Sequence, residues 1–315
     1  MKRTWKKLLG FGWFKGILVR FSALALKCRP LIPRFAFQGA LAWASLTMKA
    51  FWFFPLHPWR RSARNILALG AAGDTPRRIF FRLVDGCRFV ALAFLDAHRL
   101  GVEGILPRIR MTDKARQTFE DIQEEGGRAI VVLPHVLGGI FSAALVSKRY
   151  PTMILSRGPR NPKRAEIQRD FMKPLELELL VLDRSSAVKA ARQFLSALKK
   201  GRLIVGTTDL DYKRDDSVEA TFYGQTVHLP SWPARFARQA KAPILPGFVR
   251  VKDEAVEIDL GEPIRERDLA RATQAWADAF QASILSAPWD WAFLCDRRWG
   301  KLLDRAAREG RSATP

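Results

Sequence analysis

Gly126-Gly127-Arg128-Ala129-Ile130-Val131-Val132-Leu133-Pro134-His135 is the stretch on which the fold turns. The two glycines stop the helix that ends at Glu120 to Glu125. Ala129–Leu133 is then a short, β-branched apolar run, which reads as a buried strand. Downstream, Met153–Leu155, Leu179–Leu182, Leu203–Val205, Ile244–Val249 and Val256–Leu260 read the same way. Helical signals lie between them. Asn161-Pro162 opens a helix, with Asn as its cap and Pro in its first turn. Val188, Ala191, Phe194, Leu195 and Leu198 make one apolar face, ended by Gly201. A further helix follows Pro230. Alternating strands and helices imply an α/β fold, a mixed central sheet flanked by helices.

Upstream of this region the pattern changes. Residues 57–125 read as a helical segment packed on the α/β unit, because Ile79-Phe80, Leu83-Val84, Cys87 and Val90-Ala91 fall at helical spacing. Residues 1–56 read as anchor helices at a membrane. No acid occurs before Asp74, while Lys and Arg recur and Trp5, Trp13, Trp43, Trp52 and Trp59 lie among them. Basic residues interleaved with Trp suit an anionic membrane interface. The longest uncharged run, Phe35 to Met48, is shorter than the ~20 residues a spanning helix needs, so an interfacial or re-entrant anchor is expected. The α/β unit takes residues 126–315, with 264–315 helical and ending in an unanchored tail.

The chain has 315 residues and a formal net charge of +22, which favours anionic partners. No nucleic-acid reader motif is present, and the basic residues sit among membrane-type aromatics, so nucleic acid is not expected as a partner. Cys28, Cys87 and Cys295 are odd in number and far apart, which suggests neither a disulfide framework nor a metal site. No cofactor is implied.

The candidate chemistry lies in three blocks. The first ends in His135, at a strand end, where sites of open α/β sheets cluster. A histidine there can act as general base on a hydroxyl, or be a structural residue bonded to backbone; the adjoining blocks favour the base. The second is Ile154-Leu155-Ser156-Arg157-Gly158-Pro159-Arg160-Asn161-Pro162. The third is Gly206-Thr207-Thr208-Asp209-Leu210-Asp211-Tyr212, followed by Thr221-Phe222-Tyr223-Gly224-Gln225-Thr226-Val227. An arginine such as Arg157 suits bidentate phosphate contact and reads equally as a solvated loop residue. Asp209 and Asp211 alternate at a strand end, so at most one of them faces His135. Phe222 reads equally as core, and Gly224 as the residue of a tight turn.

In this order the blocks resemble those of the lipid A biosynthesis (lauroyl/myristoyl) acyltransferases. The N-terminal zone, Arg60 to Asn65 and Pro288 to Trp299 resemble that family too. The resemblance implies transfer of a fatty acyl chain from acyl carrier protein, or from acyl-CoA, to a glycolipid or related amphiphile. It implies the cytoplasmic face of a bacterial inner membrane, with His135 as base. Arg157, Asn161, Asp209, Asp211, Phe222 and Gly224 fall in its substrate-binding blocks. One departure stands out: the family places an acid five residues after the histidine, and here that position is Ile140. Isoleucine neither fixes the imidazole tautomer nor stabilises an imidazolium. On this reading Ile140→Glu raises activity. Asp209 or Asp211 is expected as the carboxylate nearest His135, beside an apolar groove with Arg157 at its mouth. The alternative is a degenerate acyltransferase fold that binds lipid or a protein partner without catalysis. Oligomeric state is not legible.

Overall fold

The computed structural model describes residues 33–54, 58–73, 75–158, 161–182 and 187–312, excepting the side chains of Pro58, Arg157, Leu182, Ala187, Lys189, Arg311 and Ser312. Three helices come first: α1 (Arg34–Ala50), α2 (Pro58–Ala68) and α3 (Pro76–Leu100). β1 (Ile109–Met111) and α4 (Asp113–Glu124) lead to β2 (Ala129–Leu133). Alternation follows, through α5 (Gly139–Arg149), β3 (Thr152–Arg157), α6 (Pro162–Met172), β4 (Leu179–Leu182), α7 (Ala187–Lys199) and β5 (Leu203–Thr207). A hairpin of β6 (Ser217–Phe222) and β7 (Gln225–Pro230) precedes α8 (Trp232–Ala240). Then come β8 (Ile244–Lys252), β9 (Ala255–Leu260), α9 (Leu269–Ser286) and α10 (Arg297–Ser312).

Seven strands form one sheet in the order β1-β9-β8-β2-β5-β3-β4. Every neighbouring pair is parallel except β8 and β9, so the sheet is mixed and mostly parallel. All five residues of β2 are buried, as a strand covered on both faces requires. β5 pairs with β2 in a register that sets Leu133 beside Thr207. Continued past the strand ends, that register brings residue 135 beside residue 209.

Two parts of the fold differ from the sequence reading. β1 lies in the segment read as helical. Three residues are too few for a periodic signal, and β1 is fixed by its partner β9 far along the chain. The β6–β7 hairpin also went unread. Its turn, Tyr223-Gly224, has positive φ at both central residues (51° and 73°), as a type I′ hairpin turn needs. The last helix, α10, lies in the segment read as helical; it buries Leu302, Leu303, Ala306 and Ala307, and Asp304 accepts two bonds from Arg61 on α2 at 2.8 Å each, while the tail beyond it, 313–315, lies outside the described residues.

The N-terminal zone is described from Pro33 onward. No helix among the described residues is long and apolar enough to cross a membrane. Trp5, Trp13 and the rest of residues 1–32 lie outside the described residues. α1 is clamped to α3 on one side. Arg34 donates to both oxygens of buried Asp96 at 3.0 and 2.8 Å, and Lys49 donates to Asp85 at 2.6 Å. Beyond α1, Trp52 is buried and stacks on Phe80, so the end of this zone belongs to the common core. The other side of α1 and the turn after it expose Phe35, Trp43, Leu46, Phe53 and Phe54.

Candidate active site

β2 delivers His135 to the carboxyl edge of the sheet, and β5 delivers Asp209 beside it. The backbone N–H of His135 donates to Asp209 Oδ2 at 2.9 Å, and the ring Nδ1 meets Asp209 Oδ1. The Asp209 side chain is wholly buried, while that of His135 keeps 30% of its surface. The indole N–H of Trp291, also fully buried, donates to Asp209 Oδ2 at 2.9 Å. Three N–H groups thus converge on the carboxylate. Oδ2 accepts two of these bonds, and the tautomer with its proton on the ring Nδ1 is assigned because it gives Oδ1 a donor as well. Nε2 is left as the basic atom, pointing away from the carboxylate.

A strap from Pro288 to Cys295 holds the histidine from the opposite side. The N–H of Leu137 donates to the Asp290 carbonyl, and the N–H of Ala292 donates to the His135 carbonyl, both at 2.7 Å. Phe293 stacks on the imidazole with ring centroids 4.1 Å apart. The ring is therefore fixed by a carboxylate at its edge and an aromatic on its face. Within the strap, buried Asp290 accepts from the Val251 N–H at 3.2 Å. Burial pushes its carboxyl up to about 7, although that hydrogen bond and the charges of Arg250 and Arg82 oppose the shift.

The histidine opens onto a cavity of about 430 Å³. That lies within the ~300–1,000 Å³ usual for small-ligand pockets. Ile140, Ala143, Ile154, Met172 and Leu179 give it apolar walls, and Ser156, Gln168, Thr207 and Tyr212 add polar groups. Ile140, where the resembled family has its acid, is thus a wall residue, half-buried against the apolar cluster under α5. The start of α5 needs Gly138, whose φ is +78° and whose added Cβ would sit 3.0 Å from Val256. The positive end of that helix faces the cavity through Gly139 and Ile140.

The remaining candidates are spread out. Arg157 ends β3, but its side chain lies outside the described residues. Asn161 caps α6, its side chain accepting from the Arg164 N–H at 3.3 Å. Asp211 accepts from the His228 N–H at 3.0 Å and so pins the loop after β5 to β7. Phe222 is buried against Trp299, with ring centroids 5.1 Å apart, and Gly224 makes the hairpin turn. Of the acidic pair, then, Asp209 meets the histidine and Asp211 serves the hairpin. Sequence reasoning missed Thr207 and the strap residues Trp291 and Phe293. In the sequence the stretch Pro288 to Trp299 carries only a family resemblance. Its pairing with His135 is made by packing and has no local signal.

A model of the bacterial lipid A biosynthesis acyltransferases matches residues 100–301. The chain belongs to that family. The match spans β1 through the start of α10 and includes His135, Asp209, Trp291 and the cavity walls. Membership makes the chain an acyltransferase acting on lipid, with an acyl donor and a lipid acceptor as its substrates. No curated protein matches the chain.

Proposed function

We propose that the chain transfers a fatty acyl group from a thioester of acyl carrier protein, or of CoA, to a hydroxyl of a glycolipid or related amphiphile. His135 is the base. The observation that carries this reading is the His135–Asp209 pair opening onto the apolar cavity. Asp209 supplies what Ile140 lacks, a carboxylate that fixes the tautomer and stabilises the imidazolium formed as the hydroxyl is deprotonated. The alternative, a fold that binds lipid or a partner without catalysis, has no use for a buried carboxylate set on the histidine, and Asp209 supplies one. Two further features support the finer assignments. α7 and α8 carry no acid, while Arg192, Lys199, Arg235 and Arg238 on them are exposed, which suits an acidic carrier as donor. The exposed aromatic face of α1 suits the interface of the inner membrane, on its cytoplasmic side, where the acceptor resides.

His135→Ala tests the reading. Transfer from acyl carrier protein to a membrane glycolipid is expected to fall by roughly three orders of magnitude or more, with the circular dichroism spectrum unchanged. Robust transfer by the folded variant would exclude His135 as the base.

A further inference from the structure

The cavity wraps round the carboxyl edge of the sheet between β3 and β5, and its two sides differ. Side chains alternate along a strand, so Ile154 and Leu155, both in its wall, lie on opposite faces. Ile140, Ala143 and Met172 close the Ile154 side, which is apolar. On the other side a Cβ added to Gly206 would lie 2.9 Å from Trp232 and 3.3 Å from Leu155, so these three residues share that face. Tyr212 belongs there too. Its N–H donates to the His228 carbonyl at 3.0 Å on β7, whose last residue, Pro230, also lines the cavity.

Two guanidinium groups flank Tyr212. Arg214 lies over its ring, 4.8 Å from the centroid. Arg298 Nη1 donates at 3.4 Å to the carbonyl of Asp211, which is joined to Tyr212 by the next peptide bond. Both arginines are exposed, and among the described residues neither pairs with a carboxylate, not even with Asp215 and Asp216, which follow Arg214. Arg34, Arg61 and Arg265, by contrast, each hold one. Asp211 and Asp296 are turned to the backbone N–H groups of His228 and Arg298 at 3.0 and 2.7 Å. A guanidinium stacked by its face keeps its N–H edge free. One such fork satisfies a carboxylate, whereas a phosphate ester, with its several terminal oxygens, takes both.

We infer that Arg214 and Arg298 form a phosphate-binding rim, which holds a phosphate ester of one reactant at the Tyr212 side of the cavity. The inference deepens the acyltransferase reading above and rests on it. The acyl chain then takes the apolar Ile154 side, and the phosphate anchors the polar end of a reactant on the other. Both reactants can carry such a group: the acceptor on its sugar, the donor on the phosphopantetheine arm that acyl carrier protein and CoA share. Arg298 follows directly on the strap that seats Phe293 against His135, so one piece of chain fixes both the rim and the base. Neither arginine bonds to His135 or Asp209, so the rim acts on binding and not on the chemical step.

The test uses the full chain in non-ionic detergent micelles and two matched pairs of ligands: a glycolipid with and without its phosphate, and an acyl pantetheine with and without its phosphate. In at least one pair, calorimetric titration should show the phosphate tightening binding about ten-fold or more. Arg214→Gln with Arg298→Gln should bind both members of that pair alike, and each single variant should lose part of the preference. The pair that responds names the source of the phosphate. In transfer assays the loss should fall on KM more than on kcat, as for a contact made equally in ground and transition states. A phosphate preference kept by the double variant, or none in either pair, overturns the rim and leaves the function standing. Transfer that is indifferent to His135→Ala overturns the function, and the preference read by titration then decides the rim separately.

Discussion

On the proposed mechanism Asp209 takes the part expected of an acid at position 140, and it does so from beyond the end of another strand. Its three N–H partners fix one orientation of the carboxylate, and hydrogen bonds to a charged group contribute about 1.5–3 kcal/mol each. This reverses one expectation from the sequence. With Nδ1 already occupied, Ile140→Glu adds no missing partner. It places a second carboxylate in an apolar wall, at the cost of burying a charge without a counter-ion. Ile140→Glu is therefore expected to lower kcat/KM by roughly ten-fold or more, measured as acyl transfer under matched donor and acceptor. A rise would mean that Asp209 orients the ring poorly. His135 was legible because it closes the first of three blocks that resemble one family; alone, a histidine past a buried strand reads as structural. Thr207 was hidden by its company: beside Thr208 and Asp209 it is one polar residue among several, and only strand alternation separates its cavity-facing hydroxyl from the buried one next door.

The strap from Pro288 to Cys295 is the element that couples the histidine to the far side of the fold. Asp290 sits in it with its carboxyl raised to about 7 by burial, against an ordinary value near ~3.9. Between those values the folded chain holds a proton that the unfolded chain has released. The stability this supplies is complete below about pH 4 and is lost as pH rises through about 7, on the order of 4 kcal/mol over the window. Asp290→Asn keeps an oxygen for the Val251 N–H and does not titrate. It should flatten the fall in urea midpoint between about pH 5 and about pH 8. An unchanged slope would place the titration elsewhere. Elements such as β2 and β5 were legible, since strands buried on both faces are unbroken apolar runs. β1 and the β6–β7 hairpin were not. One is too short for periodicity, and the other mixes Glu219, Thr221, Gln225 and Thr226 into its alternation.

At the scale of the whole molecule, the clamp of α1 onto α3 leaves Phe35, Trp43 and Leu46 pointing outward. Cutting the chain after residue 56 would remove Trp52 from the core, so truncation confounds folding with membrane binding. Replacing Phe35, Trp43 and Leu46 together by Gln touches no core contact. It should lower co-sedimentation with anionic vesicles several-fold while leaving Tm nearly unchanged. Equal binding would remove α1 from the interface. The same scale explains why the site was only partly legible. His135 and Asp209 are brought together by the parallel register of β2 and β5, which sets Leu133 beside Thr207, and a register is not written in either strand alone. The central claim is that these two residues act as one unit. A double-mutant cycle on acyl transfer with His135→Ala, Asp209→Asn and the pair tests it most directly. Each single variant should lose roughly 10³-fold or more, and the double variant should be hardly slower than His135→Ala. Losses that multiply, or an Asp209→Asn variant close to full rate, would contradict it.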